Sequence, residues 1–410
     1  MEQNKTLSTP LNRITLLDAL RGFALLGVIL MHMLQQFSIF SSPDLRQPLF
    51  PEMDQTVQWI GQNIIMGRFI NIFAFLFGLS FFIQLDRASK KGVDFRGRFI
   101  WRMVVMLFIG LVGNIFYSGE IITLYAVFGA LLVPLFRVKS WVLMTISLLL
   151  LLGTPRVIQV SYNTLVKTEQ AEQKNATQTQ AAKDAARDTK PSFLNSAKHN
   201  FTAGLQGKLN YQFGLFGRGY ITFALFLAGL VVGRIRFFEK EQPVRKLLTL
   251  FIGFLCVVFL TEIIAGMFPG INYRSLVSGQ AENLASGLAL MSLNDVKIVA
   301  FSGAIVMAFA LLYQHKNWSK YLDVFSPYGR MGLTNYEMQG VIGCFMFSMW
   351  AFGLYFQSLG TTELFLLGIV IYLLQLAFSS YWLKKHLYGP LEWFLRSATY
   401  LKAQPFRKKK

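Results

Sequence analysis

The stretch "LLDALRGFALLGVILMH", residues 16–32, decides the class of fold. With the apolar residues around it, from Ile14 to Phe37, it is long enough to cross a hydrocarbon core, which takes about 20 residues. It also carries Asp18, Arg21 and His32, and such groups are costly in lipid unless they face a partner or a cavity. Asp18 and Arg21 are three apart and share a helical face. His32 follows Arg21 by about three turns plus 20°, so it lies on nearly the same face, about 16 Å further along. A face of that kind points into a bundle.

The rest of the chain agrees. Of its 410 residues 53% are apolar and 15% charged, 39 are Phe, and the mean hydropathy is +0.43. An ordinary soluble domain has roughly 25% charged residues. The class implied is an all-α polytopic membrane bundle. The net charge of +19 sits in short runs between apolar stretches, the pattern of cytoplasmic loops, which excludes nucleic acid as the partner. Cys256 and Cys344 lie inside apolar runs, so neither a disulfide framework nor a metal site is expected. No small-residue cleavage site follows the first apolar run, so a cleavable signal is not expected.

Apolar runs predict about ten transmembrane helices, over 14–37, 64–86, 99–117, 121–137, 140–155, 216–236, 245–268, 295–315, 331–357 and 363–383. The fourth and fifth are short enough to form a re-entrant pair. No repeat relates the two halves, so an inverted-repeat transporter is not indicated. Basic residues cluster in 86–102, 137–139, 234–246, 316–330 and 384–410, whereas 118–120 and 358–362 contain none. The positive-inside rule then puts both termini in the cytoplasm of a cell-membrane, multi-pass protein. Three parts are expected: an N-terminal transmembrane half (1–155), a polar extracytoplasmic loop (156–215), and a C-terminal half with a basic cytoplasmic tail (216–410). Within the loop, "TEQAEQKNATQTQAAKDAARDTK" (168–190) reads as a spacer or as a lid over an outward-facing site.

Polar residues in the apolar runs fall into two layers. Arg68, Asn71, Asn114, Glu120, Tyr125 and Glu262 belong to the outer one, and Thr334, Asn335, Tyr336, Glu337 and Gln339 to the inner. Hydrogen bonding between helices accounts for many such groups without chemistry; a passage through the bundle is the alternative. Among the four histidines His32 is the best base, because His199 lies in the loop and His315 and His386 lie at helix ends. Acyl transfer gives these types a role each. His32 is the base, with Glu120 or Glu262 to orient it, and Asn71 and Asn114 are donors to the acyl oxygen. Arg21 and Arg330 are cations for a phosphate-bearing donor at the cytoplasmic mouth, beside Asp18, Asn335 and Gln339.

Five stretches carry a resemblance. "RITLLDALRGFALLGVILMHM" (13–33), "FAFLFGLSF" (73–81), "GEIITLYAVFGALLVPL" (119–135), "GRMGLTNYEMQ" (329–339) and "YGPLEWFLRSATY" (388–400) resemble the YeiB-like bacterial membrane proteins, whose C-terminal half is the domain of unknown function 418. That family is similar to the heparan-α-glucosaminide N-acetyltransferases and, more distantly, to membrane O-acyltransferases of surface polysaccharides. The resemblance implies transfer of an acyl group from cytosolic acyl-CoA, a co-substrate and not a bound cofactor, to an extracytoplasmic acceptor. It places His32 where the O-acyltransferases have their histidine. Many YeiB-like proteins have Asn at that place, and a His and a Gly-Asp pair where this chain has Asn114 and Gly119–Glu120. The partners expected are the lipid bilayer, a small-molecule or cell-surface glycan acceptor, and a second copy of the chain. The alternative is a transporter or exporter of a small molecule without covalent chemistry.

Overall fold

A computed structural model describes residues 14–37, 48–166, 190–268 and 284–408. Much of 168–190 lies outside the described residues. Among those described there is no strand, only an isolated bridge between His386 and Arg407 in the tail. The helices are α1 (Thr15–Met31), α2 (Pro51–Ile60), α3 (Arg68–Ser89), α4 (Arg96–Phe116), α5 (Ile122–Leu135), α6 (Ser140–Leu151), α7 (Thr154–Val166), α8 (Phe193–Phe201), α9 (Ala203–Phe213), α10 (Arg218–Arg234), α11 (Val244–Gly266), α12 (Leu284–Gln314), α13 (Gly332–Phe347), α14 (Thr361–Lys385) and α15 (Pro390–Tyr400). Shorter turns of helix connect several of them.

Each of the ten apolar runs coincides with a helix, yet fewer meet the length and composition of a span. Among the described residues six do so alone, and two bent pairs raise the number to eight. The bends are 52° between α6 and α7 and 58° between α8–α9 and α10. Glycines with φ of +74° (Gly153) and +60° (Gly217) lie at these breaks, where a left-handed residue ends one helical course and starts another. Two of the ten runs remain, α5 and α13, which rise only about 21 and 24 Å over 14 and 16 residues, short of a hydrocarbon core.

Packing at the centre depends on small residues. α3 and α10 cross so closely that a Cβ on Gly78 would lie 2.1 Å from the Phe226 carbonyl oxygen, and one on Gly229 would lie 2.2 Å from that of Phe75. With no hydrophobic drive between helices in lipid, such close backbone approach supplies the dispersion contact that holds them. Phe77 and Tyr125 close over Phe226 at 4.6 and 4.9 Å between ring centres. α11 is the opposite case: it packs chiefly on α12, and only 11% of its most apolar stretch is buried.

Basic residues gather at one end of the bundle. α3 ends there at Arg87, α10 at Arg234, and α14 at Lys384 and Lys385. Asp86 ties two of these elements by accepting from Arg236 at 2.8 Å and from Lys90 at 2.9 Å. The "GPLEW" segment acts near this end as a clamp. Gly389 leaves room for Glu392, whose carboxylate accepts from the backbone N–H groups of Leu333 (2.7 Å) and Thr334 (3.0 Å) and from the Thr334 hydroxyl (2.6 Å). Glu392 thereby caps α13 from another helix, satisfying donors that a helix start otherwise leaves open. Burial pushes its carboxyl above the usual range, and these bonds pull it back.

Candidate functional site

The opposite end of the bundle is hollow. A cavity of about 1660 Å³ lies among the end of α1, the starts of α3 and α10, α12, α13 and the α8–α9 segment. α1 reaches it at His32, where the α-helix gives way to a π-helical turn (His32–Phe37). His32 is 2% exposed, and its ring stands edge-on to Tyr117 (5.4 Å) and Tyr336 (5.9 Å).

Arginines give the cavity its character. Arg68 and Arg218 are the first residues of α3 and α10, each preceded by a glycine in the left-handed region, Gly67 (φ +77°) and Gly217 (φ +60°). A cation at a helix N-terminus opposes the helix dipole, so each must be held there by something else. Arg68 Nη1 donates to the carbonyls of Gln62 and Met66, both at 2.7 Å. Arg218 Nη2 donates to Asn71 Oδ1 at 3.1 Å. Arg156 donates from Nε to the Leu215 carbonyl (2.6 Å) and from Nη2 to Asp295 (2.6 Å), which also faces Arg218 at 3.9 Å. Lys208 donates to Glu120 at 3.3 Å and to the Thr123 hydroxyl at 2.8 Å.

These anchors do not neutralise the cavity. Seven Lys and Arg side chains line it against a single acid, Asp295. Glu120 and Glu262 stand behind Lys208 and Lys297. Counted one acid to one cation, four of the seven stay unmatched among the described residues, and Arg68 shares the field of Glu262 with Lys297. Arg68 Nε and Arg156 Nη1 are buried with no hydrogen-bond partner there. Two helix N-termini add their positive ends to the same space. The arrangement is built for an anion.

The residues singled out from sequence divide into three groups. His32 lines the cavity. Asn71, Asn114 and Glu120 hold its walls: Asn71 positions Arg218 and donates to Ser302 at 3.4 Å, and Asn114 donates to the Asn200 carbonyl (3.2 Å), tying α4 to α8. Glu120 caps α5, accepting from the N–H groups of Ile122 and Thr123, and binds Lys208. Burial pushes the Glu120 carboxyl above the ordinary range, and the Lys208 ammonium pulls against it.

The third group lines neither this cavity nor the neighbouring groove. Arg21 pairs with Asp18 at 3.1 Å and donates to Ser80 at 3.0 Å. Asn335 Nδ2 donates to the Tyr328 carbonyl (3.1 Å) and to Ser379 Oγ (2.9 Å). Gln339 donates to the Tyr328 hydroxyl (3.0 Å), which donates in turn to Gln375 (2.6 Å). Arg330 ends the short helix Ser326–Arg330 on the far side of that network. Tyr336, grouped with the inner layer from sequence, stands instead at the cavity beside His32. One residue along a helix turns the face by about 100°, away from the face shared by Asn335 and Gln339.

Arg156, Arg218, Asp295 and Lys208 were not singled out from sequence. A signal existed for the arginines. "MGRF" (66–69) and "FGRG" (216–219) each put Gly-Arg at the very start of an apolar run, where a cation is electrostatically misplaced. The part of the polar loop that is described, from Lys190, forms α8 and α9 and walls the cavity, joined to it by Asn114–Asn200 and Lys208–Glu120.

Residues 232–402 match the family described as "Protein of unknown function (DUF418)". Over 97% of its length the chain is 28% identical to "Uncharacterized protein YxaH" of Bacillus subtilis (strain 168), covering 96% of that protein. It is 27% identical to "Uncharacterized 39.9 kDa protein in amylase 3'region" of Bacillus acidopullulyticus, with 97% of each chain covered. No solved structure matches.

Proposed function

We propose that this membrane protein, whose C-terminal half is a DUF418 region, uses the His32 cavity to transfer an acyl group to an anionic acceptor. The observation that carries the proposal is the placing of one buried imidazole in a cavity with an excess of Arg and Lys. An acceptor anion held by those cations presents a hydroxyl to His32. The imidazole takes the hydroxyl proton as the oxygen attacks the acyl carbonyl, and the departing group of the donor receives that proton. The same cations stabilise the negative charge that develops on the carbonyl oxygen. Asn71, Asn114 and Glu120 are positioning residues in this scheme, since each holds a wall and none lines the cavity.

With the basic end in the cytoplasm by the positive-inside rule, the cavity faces the opposite side of the membrane, and an even number of crossings keeps both termini inside. Acyl-CoA is the donor class that the family resemblance implies. Asp18, Arg21, Asn335 and Gln339 bind one another or their neighbours, and Arg330 lines neither the cavity nor the groove, so no step is routed through them.

Membranes containing the protein and supplied with radiolabelled acetyl-CoA should pass label into a lipid or glycan fraction. His32→Ala should lower that rate by about 10²–10⁴-fold, the usual loss for a general base, at unchanged protein level. Undiminished labelling in His32→Ala contradicts the proposal. Movement of an anion across the membrane with no labelling, and no dependence on His32, favours the transport alternative.

A further inference from the structure

Beside the cavity lies a groove of about 730 Å³ whose chemistry is the reverse. It runs between α11 and α12 and is lined by Ile252, Leu255, Phe259 and Phe301 among others. Asn63, Arg68 and Lys297 line both spaces, so the two adjoin through their polar boundary. Arg68 lies over the Phe301 ring at 5.8 Å, one cation at the junction of the basic and apolar compartments. α11 is largely unburied, which leaves the groove facing the surroundings of the bundle, where a membrane helix meets lipid.

A cationic chamber joined to an apolar side channel fits an amphiphile. We infer that the two together hold a phosphate-bearing membrane lipid with a free hydroxyl on its headgroup, the headgroup lying among the arginines and one chain in the groove. The inference rests on the reading of the His32 cavity as the acceptor site, and it names the class of acceptor. Charge argues for phosphate: several cations lack counter-charges, and a phosphate monoester brings up to two negative charges and acceptor oxygens that suit the guanidinium fork. Arg68 and Arg156 both line the cavity, and each keeps one guanidinium nitrogen without a hydrogen-bond partner among the described residues. The groove argues for the chain, because a free anion would leave its apolar lining unused. Glu262 at the rim accepts from Lys297 at 2.8 Å, so this carboxylate is already engaged where the headgroup would pass.

The test uses the full chain in detergent micelles and measures binding by native mass spectrometry. Its probes are phosphatidic acid, phosphatidylcholine with the same chains, and inorganic phosphate. Phosphatidic acid should bind at least about tenfold more tightly than phosphatidylcholine, and Arg68→Gln should remove at least about tenfold of that affinity, the scale of one charge-assisted hydrogen bond. Arg68→Lys, which keeps the charge but loses the fork, should fall between, and it carries the test if Arg68→Gln does not fold. Leu255→Trp, which fills the groove, should weaken phosphatidic acid while leaving inorganic phosphate unchanged. Inorganic phosphate bound as tightly as the lipid, with Leu255→Trp neutral, overturns the lipid inference and leaves the anionic acceptor intact. Phosphatidylcholine bound as tightly as phosphatidic acid, with Arg68→Gln and Arg68→Lys both without effect, overturns both. Tight binding of the lipid by the parent protein with no acyl transfer from acetyl-CoA would defeat the proposed chemistry alone and leave the lipid inference standing.

Discussion

Asn335 is fully buried and Arg68 is 7% exposed, yet the two sit in surroundings of opposite kinds. Around Asn335, the side chains of Tyr328, Gln339, Gln375 and Ser379 pass hydrogen bonds among themselves and to the backbone carbonyls of Tyr328 and Asn335, and all are neutral. Around Arg68 the groups are charged, the positive ones outnumber the negative, and a large cavity separates them. Both regions look alike in sequence, as polar residues in apolar runs. What separates them is charge: among the described residues the neutral network leaves only Gln339 Oε1 without a partner, whereas the cavity keeps unmatched cations. A neutral hydrogen-bonded network fixes helices against one another; unmatched charge retains its capacity for a ligand.

The largest expected effect tests the charged side. Asp295 is the only acid lining the cavity among the described residues, and it faces both Arg156 and Arg218. Asp295→Asn leaves two buried guanidinium groups without their carboxylate, and breaking a buried pair in that way costs about 3–5 kcal/mol. Thermal unfolding in detergent should show the loss, and added phosphatidic acid should recover part of it by supplying the missing negative charge. Unchanged stability would mean that water already compensates these arginines.

The neutral side should respond less, and differently. Asn335→Ala removes one of two donors to the Tyr328 carbonyl, which keeps the Met331 N–H, and weakens the hold on Ser379, at about 0.5–1.5 kcal/mol per hydrogen bond lost. Added phosphatidic acid should recover none of it. If the lipid protects Asn335→Ala as well as Asp295→Asn, the two regions are one site and the distinction fails.

The smallest effect is a pH dependence at the cavity wall. An acid whose value is raised on folding contributes stability below the ordinary glutamate range and loses it as pH rises through the folded value. Glu120 is such an acid, raised by burial and partly restored by Lys208. Lys208→Met removes the restoring charge, so the folded value climbs further and the loss with rising pH deepens. The gap in melting temperature between parent and variant should widen from mildly acidic to neutral buffer. A gap that stays constant would show that Glu120 does not titrate over that interval.

The helices were legible because each apolar run is a local property of the chain, and all ten runs are helical. The number that can span was less so, since a run's length does not reveal that Gly153 and Gly217 bend two of the courses. His32 was legible as a buried group facing inward. Asn71, Asn114 and Glu120 were legible as polar positions but not as wall supports, because their partners Arg218, Asn200 and Lys208 lie 147, 86 and 88 residues away. The pairing of Arg156 with Asp295 crosses 139 residues, and no local pattern announces it. Tyr336 was misgrouped because a layer assigned by sequence position ignores the turn of the helix.

The account turns on the sign of the field in the His32 cavity, and a charge-selective thiol label reads that sign directly. Asn294 lines the cavity and is partly exposed, so Asn294→Cys, made with Cys256 and Cys344 changed to Ser, offers one thiol there. Its reaction rates with an anionic and a cationic methanethiosulfonate reagent are each divided by the rates for a free thiol. The normalised anionic rate should be the higher, and Arg68→Gln should shrink the ratio. A normalised cationic rate equal to or above the anionic one would contradict the account.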